Sequence, residues 1–391
     1  MSHIEPLGMK QALGLKEPLS MKDPLSILIV IPSLRGGGAE RVTVDLASHW
    51  AFLGHEVVLL TQSDPSTDVY HYNKRIQRVS LAHLEKLGGL LGHIKKILAI
   101  RQVMRRFRPD IALGVMTTSS VYSVLAAQGL ATKVIATEHA HPPSQKISSL
   151  WQRLRRFAYP RADAVVALTE LSAQWLREHV PGCQPQVIVN AVHWPLQDSE
   201  PKVICYKPEG THWLLAVGRL HEEKGFDKLI QAFTKISEQV PKWQLIILGE
   251  GAERENLQKQ IHTAQMQERI LLPGRVGNLS QWYKTADLFV LSSRFEGLSN
   301  SLQESMSYGL PAVSFDCDSG PREIIRDGID GVLVRPDQDT EALANTLQGL
   351  MQDPARRTQL GEQAKQVRER FSPRVIYQQW DCLFDQLSKA K

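Results

Sequence analysis

Leu288-Phe289-Val290-Leu291-Ser292-Ser293-Arg294-Phe295-Glu296-Gly297-Leu298-Ser299-Asn300-Ser301-Leu302-Gln303-Glu304-Ser305-Met306-Ser307-Tyr308-Gly309 is the stretch on which the fold turns. Its first four residues form a short apolar run of the kind a buried strand carries. Ser299, Asn300 and Ser301 are helix-capping types, so a helix is expected to open there and to close at Gly309. Glu296 then lies in a strand-to-helix loop and Glu304 in the first turns of the helix. A helix start offers backbone N–H donors and a positive dipole end to a diphosphate. The two carboxylates can accept hydrogen bonds from sugar and ribose hydroxyls, so the stretch reads as a nucleotide-sugar site.

Outward from this unit, the same alternation of β-rich run and helical pattern fills the chain. In the first half the runs are Ile27 to Ile31, Val57 to Thr61, Ile111 to Val115, Val134 to Ala136, Val165 to Leu168 and Val187 to Val189. In the second they are Leu214 to Val217, Leu245 to Leu248, Ile270 to Leu272, Leu288 to Leu291, Ala312 to Phe315 and Val332 to Val334. That is the sequence form of a parallel sheet with crossover helices, made twice. Between the halves, residues 193–212 are polar and carry Pro195, Pro201 and Pro208, the composition of a linker. The expected organisation is an N-terminal Rossmann-like α/β domain over 26–192, the linker, a C-terminal Rossmann-like domain over 213–371 and a last helix over 372–391. Both domains are doubly wound, and the ligand is expected at the carboxyl ends of the strands, in a cleft where the domains face one another. Residues 1–25 repeat a Pro-Leu phrase that no long helix tolerates and read as a mobile extension or a misplaced start.

Bulk properties agree with a two-domain globular protein. The chain has 391 residues, 42% hydrophobic and 22% charged, more than one core usually organises. A net charge of +5 suits an anionic ligand or membrane surface and is too weak to argue for nucleic acid. Cys183, Cys205, Cys317 and Cys382 form no Cys-x-x-Cys pair, so neither a zinc site nor a disulfide framework is indicated and a reducing cytoplasm fits. The longest apolar stretch, Leu25 to Pro32, is far shorter than the roughly 20 residues of a membrane span.

Two further loops carry chemistry. Val217-Gly218-Arg219-Leu220-His221-Glu222-Glu223-Lys224-Gly225 follows a strand, and its Arg219 and Lys224 can converge on phosphates as a fork and a point charge. Gly36-Gly37-Gly38 follows the first strand and lets backbone approach a ligand closely at a helix start. With Gly249-Glu250-Gly251, the Glu296 and Glu304 pair, and Gly309-Leu310-Pro311 leading to Gly320-Pro321-Arg322-Glu323, these loops stand in a specific order. In that order the chain resembles glycosyltransferase family 4, of the GT-B fold, from Ser26 to the last helix. Gly37-Gly38-Ala39-Glu40-Arg41 and Thr137-Glu138-His139 make it similar to bacterial enzymes that extend lipid-linked or cell-surface glycans.

The resemblance implies a retaining transfer from a nucleotide diphosphate sugar, UDP-linked hexose or N-acetylhexosamine, with no divalent ion and no cofactor. It implies a glycan or polyprenyl-diphosphate-linked acceptor on the N-terminal side, and a last helix that crosses back to the first domain. Residue by residue, it puts Glu296 on donor-sugar hydroxyls, Glu304 on the ribose, Arg219 and Lys224 on the diphosphate, and the N–H groups of Ser299, Asn300, Ser301 and Leu302 around the phosphates. Gly37, Gly38 and Gly218 complete the donor contacts, and a histidine near the transferred sugar is His139, with His141 close enough to compete. A GT-B epimerase or hydrolase, and a nucleotide-sugar-binding protein without turnover, are the other readings.

Several features carry bland alternatives. Asp316-Cys317-Asp318 looks like a metal-binding Asp-x-Asp but precedes a Gly-Pro turn, where a turn or cap role is expected. No Gly-x-Gly-x-x-Gly accompanies the triple glycine and no adenosine-binding acid stands where that fingerprint wants one, which argues against a dehydrogenase. Glu323 reads as a cap or as a phosphate contact. From Ile94 to Pro109 the chain holds Lys95, Lys96, Arg101, Arg105, Arg106 and Arg108 without one carboxylate. That helix face is either merely solvated, or docks to anionic lipid on the cytoplasmic face of the inner membrane or to the acceptor's diphosphate, with Arg153, Arg155 and Arg156 extending it. Ile376, Trp380, Phe384 and Leu387 fall at helical spacing and read as packing.

Overall fold

The computed structural model describes residues 24–335 and 339–389. The expected extension over 1–25 lies, through residue 23, outside the described residues. The chain forms two compact units: one ends at Ala191 and resumes at Arg374, the other is Val192–Pro373.

In the first unit the elements are β1 (Ser26–Ile31), α1 (Gly38–Phe52), β2 (Glu56–Thr61), β3 (Gln77–Ser80), α2 (Gly89–Phe107), β4 (Ile111–Val115), α3 (Met116–Ala127), β5 (Lys133–Glu138), α4 (Ser149–Ala158), β6 (Ala164–Ala167), α5 (Glu170–His179) and β7 (Pro185–Val187). All strands are parallel, in the order β3-β2-β1-β4-β5-β6-β7. Alternate residues of β1 feed the two faces: Ile27, Ile29 and Ile31 join one core, Leu28 and Val30 the other. Both faces are covered, which is why these strands read as unbroken apolar runs. The last helix, Pro373–Lys389, turns Ile376, Trp380, Phe384 and Leu387 into the first of those cores. Trp380 and Phe384 meet Trp50 of α1 with ring centroids 6.1 and 4.7 Å apart.

The second unit holds β8 (His212–Val217), α6 (Phe226–Ile236), β9 (Trp243–Leu248), α7 (Arg254–Thr263), β10 (Ile270–Gly274), α8 (Leu279–Thr285), β11 (Leu288–Leu291), α9 (Asn300–Ser307), β12 (Ala312–Phe315), α10 (Pro321–Ile324), β13 (Gly331–Val334), α11 (Asp339–Gln352), α12 (Pro354–Ala364) and α13 (Val367–Arg370). Its sheet is again parallel, in the order β10-β9-β8-β11-β12-β13.

Three details differ from the sequence reading. β3 has no counterpart among the expected runs, because an edge strand reading Gln-Arg-Val-Ser carries one apolar residue. β7 starts two residues earlier than expected, at Pro185, whose missing N–H is tolerated on a sheet edge. The segment read as a linker is laid along the second unit. Val203 N donates to Asn278 Oδ1 at 3.0 Å while the Val203 carbonyl accepts from the Asn278 amide at 2.9 Å, Leu196 N donates to the Tyr308 hydroxyl at 2.8 Å, and Lys207 reaches Asp287 at 2.9 Å.

Candidate active site

Each sheet begins in its middle and winds outward in both directions. In the second unit the chain leaves β8 toward β9 and later β11 toward β12, so the loops after β8 and β11 diverge from adjacent strands. The crevice at such a switch point is where doubly wound sheets take ligands. The loop after β8 carries Gly218, Arg219 and Lys224; the loop after β11 carries Ser293, Arg294 and Glu296.

These two loops are zipped together. Arg294 N donates to the Glu223 carbonyl at 2.8 Å, and its guanidinium grips Asp227 with two bonds of 2.8 and 2.6 Å while Nη1 also reaches the Glu222 carbonyl. Burial of Asp227 raises its carboxyl, but the Arg294 bonds and charge outweigh burial and hold it below the usual range. Ser292 Oγ donates to the Lys224 carbonyl at 2.9 Å. Gly225 sits at φ +62° with a Cβ position that would collide with the Ser292 carbonyl, so glycine is required there on both counts. Gly249 meets the same demand one strand over: its Cβ would strike the Gly218 carbonyl.

Lys224 and Glu296 meet because of this zipper. Lys224 Nζ lies 2.7 Å from Glu296 Oε1, and Ser293 Oγ donates to the same oxygen at 2.6 Å. Oε1 is thereby pinned, while Oε2 has no partner among the described residues. The carboxylate is held by one oxygen and presents the other. Lys224 has three donors, only one of which Glu296 uses. Arg219, 61% exposed, pairs with Glu223 at 2.9 Å. From behind, Ser319 Oγ donates to the Gly297 carbonyl at 3.4 Å, and Gly320, at φ +98°, lets the loop after β12 press against Gly297.

The helix α9 opens as expected. Ser299 is its cap, and its hydroxyl accepts from Leu302 N at 3.4 Å, so the Leu302 N–H expected around phosphates is engaged by the helix itself. Glu304 is buried and receives the Tyr283 hydroxyl at 3.1 Å. Asp316 pairs with Arg322 at 2.9 Å, and Cys317 is buried, its thiol pushed up to about 12 chiefly by that burial and further by Glu296. The Asp-x-Asp run is thus a turn with its first carboxylate spent on Arg322.

Gly37, Gly38 and His139 belong to the first unit, at the carboxyl edge of its sheet. Gly36 is the member of the triple glycine that needs to be one, with φ +115°; Gly37 is extended and bonds the Tyr70 hydroxyl through N–H and carbonyl, both at 3.0 Å. Met116, directly after β4, is held at φ +69°, an uncommon conformation at the matching switch point. His139 Nε2 lies 3.0 Å from Thr137 Oγ1, which donates its own hydrogen to the Gly114 carbonyl at 3.0 Å. The hydroxyl must then accept from Nε2–H, leaving Nδ1 as the unprotonated nitrogen, and Nδ1 is enclosed without a partner. His141 Nδ1 lies 3.1 Å from Ser172 Oγ of α5.

Burial lowers the His139 imidazole from 6.5 to about 4. The folded state therefore binds fewer protons than the unfolded chain between those values, so its contribution is intact above pH 6.5 and is lost as pH falls toward 4. Thermal melts of His139→Gln should fall less steeply than wild type across that window. Parallel curves would show that another group sets the acid limb.

Of the expected basic patch, two members are structural. Lys96 is buried and donates to the Glu85 carbonyl at 3.3 Å, and Arg101 caps α3 through the carbonyls of Ala126 and Gln128 at 2.6 and 2.7 Å. Lys95, Arg105, Arg106 and Arg108 are exposed. The residues that sequence reasoning left without a role are Arg294, Asp227, Ser293 and Tyr283. Arg294 stood inside the quoted stretch, but its partner is 67 positions away and nothing local marks it.

A model of Glycosyltransferase Family 4 matches residues 36–193, and one of Glycosyl transferases group 1 matches residues 202–367. An exopolysaccharide phosphotransferase of Streptomyces coelicolor is 33% identical over 73% of this chain, which spans 30% of that protein's length. A Campylobacter jejuni N-acetylgalactosaminyltransferase acting on an undecaprenyl-diphosphate-linked glycan is 26% identical over 93% of this chain and 99% of its own. The fold is that of the Anabaena protein HepE, solved with UDP and glucose, at a TM-score of 0.77, 19% identity and coverage of 93% and 99%. Two parallel sheets of seven and six strands in this arrangement are the GT-B fold. With one model falling on each unit, in the family's order, the chain belongs to the family 4 glycosyltransferases.

Proposed function

We propose that this glycosyltransferase moves a hexose or N-acetylhexosamine from a UDP-linked donor to a glycan or polyprenyl-diphosphate-linked acceptor, with retention and without a divalent ion, in the cytoplasmic synthesis of a bacterial polysaccharide or glycoconjugate. The observation that carries the reading is the Lys224–Glu296 pair at the switch point of the second sheet. A nucleotide diphosphate brings negative charge to Lys224 and Arg219 and sugar hydroxyls to the open oxygen of Glu296. Glu304 takes the ribose, and the first turn of α9 with Gly218 lines the phosphates. On family resemblance, Gly37 and Gly38 add to the donor contacts and His139 approaches the transferred sugar, for which its ring must turn from Thr137. The names of the Campylobacter and Anabaena relatives support a UDP-sugar and a lipid-linked glycan as the substrates to try first.

In the reaction, the bond from the anomeric carbon to the diphosphate breaks as the acceptor oxygen attacks from the same face, and the departing phosphate takes the acceptor's proton. Charge gathers on that phosphate, where Lys224 and Arg219 stabilise it. No carboxylate has to become covalently attached. Transfer should persist in excess EDTA and fall severely in Glu296→Ala under the same conditions. Loss of wild-type activity in EDTA, or an unimpaired Glu296→Ala, would reject the scheme.

A further inference from the structure

The first unit carries an apolar ridge that its own fold leaves uncovered. On α2, Leu90 and Leu91 are 72% and 74% exposed, and Leu98, two turns on, is 58% exposed. Ile94 lies between them, and Leu87 is held beside them because its carbonyl folds over Gly92, where a Cβ would stand 2.5 Å from that oxygen. These residues lie on successive turns of the face opposite buried Gly92, Lys96, Ile100 and Met104. Leu150, half-exposed, starts α4 next to Trp151, whose ring meets His93 of α2 at 5.2 Å, so the two helix starts sit side by side.

The charges around the ridge have one sign. Residues 86–109 hold seven Lys or Arg and residues 139–162 five, with no Asp or Glu in either segment. Part of this charge serves the fold: Lys96, Arg101, Arg155 and Arg156 are bonded to carbonyls or to Glu138. Lys95, Arg105, Lys146 and Arg153 are exposed and have no carboxylate partner among the described residues. Leucines that stand out from a convex helix, rimmed by unpaired cations, match the interfacial zone of an anionic bilayer, where acyl chains receive the apolar face and lipid phosphates the rim. No helix among the described residues is long and apolar enough to cross a membrane, so the contact is peripheral.

We propose that the ridge of Leu87, Leu90, Leu91, Ile94, Leu98 and Leu150 inserts into the surface of an anionic membrane, with Lys95 and Arg153 contacting lipid headgroups. This goes beyond the donor chemistry and does not depend on it. Crossover helices run antiparallel to the strands, so the first turns of α2 and α4 lie at the carboxyl edge of the sheet, the edge that carries Gly36 and His139. Docking brings that edge to the bilayer, where a lipid-anchored acceptor presents its glycan.

The test uses the full chain and sedimentation with vesicles of phosphatidylcholine alone or mixed with phosphatidylglycerol, at low and raised salt. Wild type should pellet with the mixed vesicles, more weakly as salt screens the rim. Leu90→Ser/Leu91→Ser should partition roughly tenfold or more weaker, as expected for two leucines withdrawn from the interface, and Leu98→Ser should move the same way. Lys95→Glu/Arg153→Glu should lose the preference for anionic lipid. All three changes are on the surface and should leave the melting temperature unchanged. Wild type that stays in solution with anionic vesicles overturns the proposal, as does undiminished binding by the leucine variants. A dimer in sedimentation velocity that Leu90→Ser/Leu91→Ser dissolves would give the ridge to a second copy of the chain and overturn it equally.

Discussion

Lys224→Ala should lower kcat/KM for sugar transfer by about 10²–10³, the loss typical when one donor that stabilises developing charge is removed from an enclosed site. Two effects act together. The departing diphosphate loses a cation, and Glu296, 7% exposed, loses one of the two partners that hold Oε1 and keeps only Ser293. Lys224→Arg keeps the charge, but its fork needs space and geometry that a point-charge site does not offer, so it should recover only part of the loss. Arg219→Ala should cost less, nearer tenfold, because a 61% exposed guanidinium works against solvent. The double change Lys224→Ala/Glu296→Ala should cost little more than the worse single change, since the pair acts as a unit. Steady-state kinetics on these four variants and on Glu296→Ala decides: a Lys224→Ala enzyme within a few-fold of wild type, or additive losses in the double variant, would separate the pair from the chemistry.

That pair also shows where the sequence stops being legible. Strands buried on both faces print themselves as apolar runs, so all twelve expected runs lie within or overlap the strand they announce, though the run for β7 is displaced by two residues and shares only Val187 with it. Loops with a steric demand also print themselves: Gly225 and Gly249 can be nothing else, and Ser299 and Gly309 bracket α9. Lys224 and Glu296 were each recognisable from their own neighbourhoods. Their direct contact, across 72 positions, was not, nor was the Arg294 to Asp227 clamp that sets it. Cations were harder still. Lys96 and Arg101 are indistinguishable from Lys95 and Arg105 in a helical charge pattern, and only packing against Glu85, Ala126 and Gln128 separates the fixed from the exposed.

Glu138→Ala should be the most destabilising single change in the first unit, by about 3–5 kcal/mol, the cost of stranding a buried ion. Glu138 ends β5, directly before His139, and its side chain is shut off from solvent, as is that of Arg155, 3.5 Å away. The Thr117 hydroxyl and the Gln145 amide donate to Oε1, each at 2.6 Å, and the Tyr159 hydroxyl donates to Oε2 at 2.8 Å. Tyr159 keeps its proton for this bond, because burial first and the carboxylate second push its hydroxyl far above the usual range. Without the carboxylate, Arg155 keeps Trp175 beneath its guanidinium at 4.8 Å and Gln145 beside it, but no counter-charge. A loss of that size lowers the melting temperature of a domain this large by roughly 10 °C. Glu138→Gln should fall less, since its one remaining oxygen can still accept from Thr117 and Gln145 or from Tyr159. Because these partners come from α3, α4 with the turn that follows it, and the loop after β5, the same network sets the path of the chain at His139 and at Ser149, where α4 begins with the exposed Leu150. Melting curves resolved for the first unit carry the test, and a Glu138→Ala protein that melts within 2 °C or so of wild type would mean that Arg155 finds solvent or another partner and that the carboxylate is not what fixes this edge of the sheet.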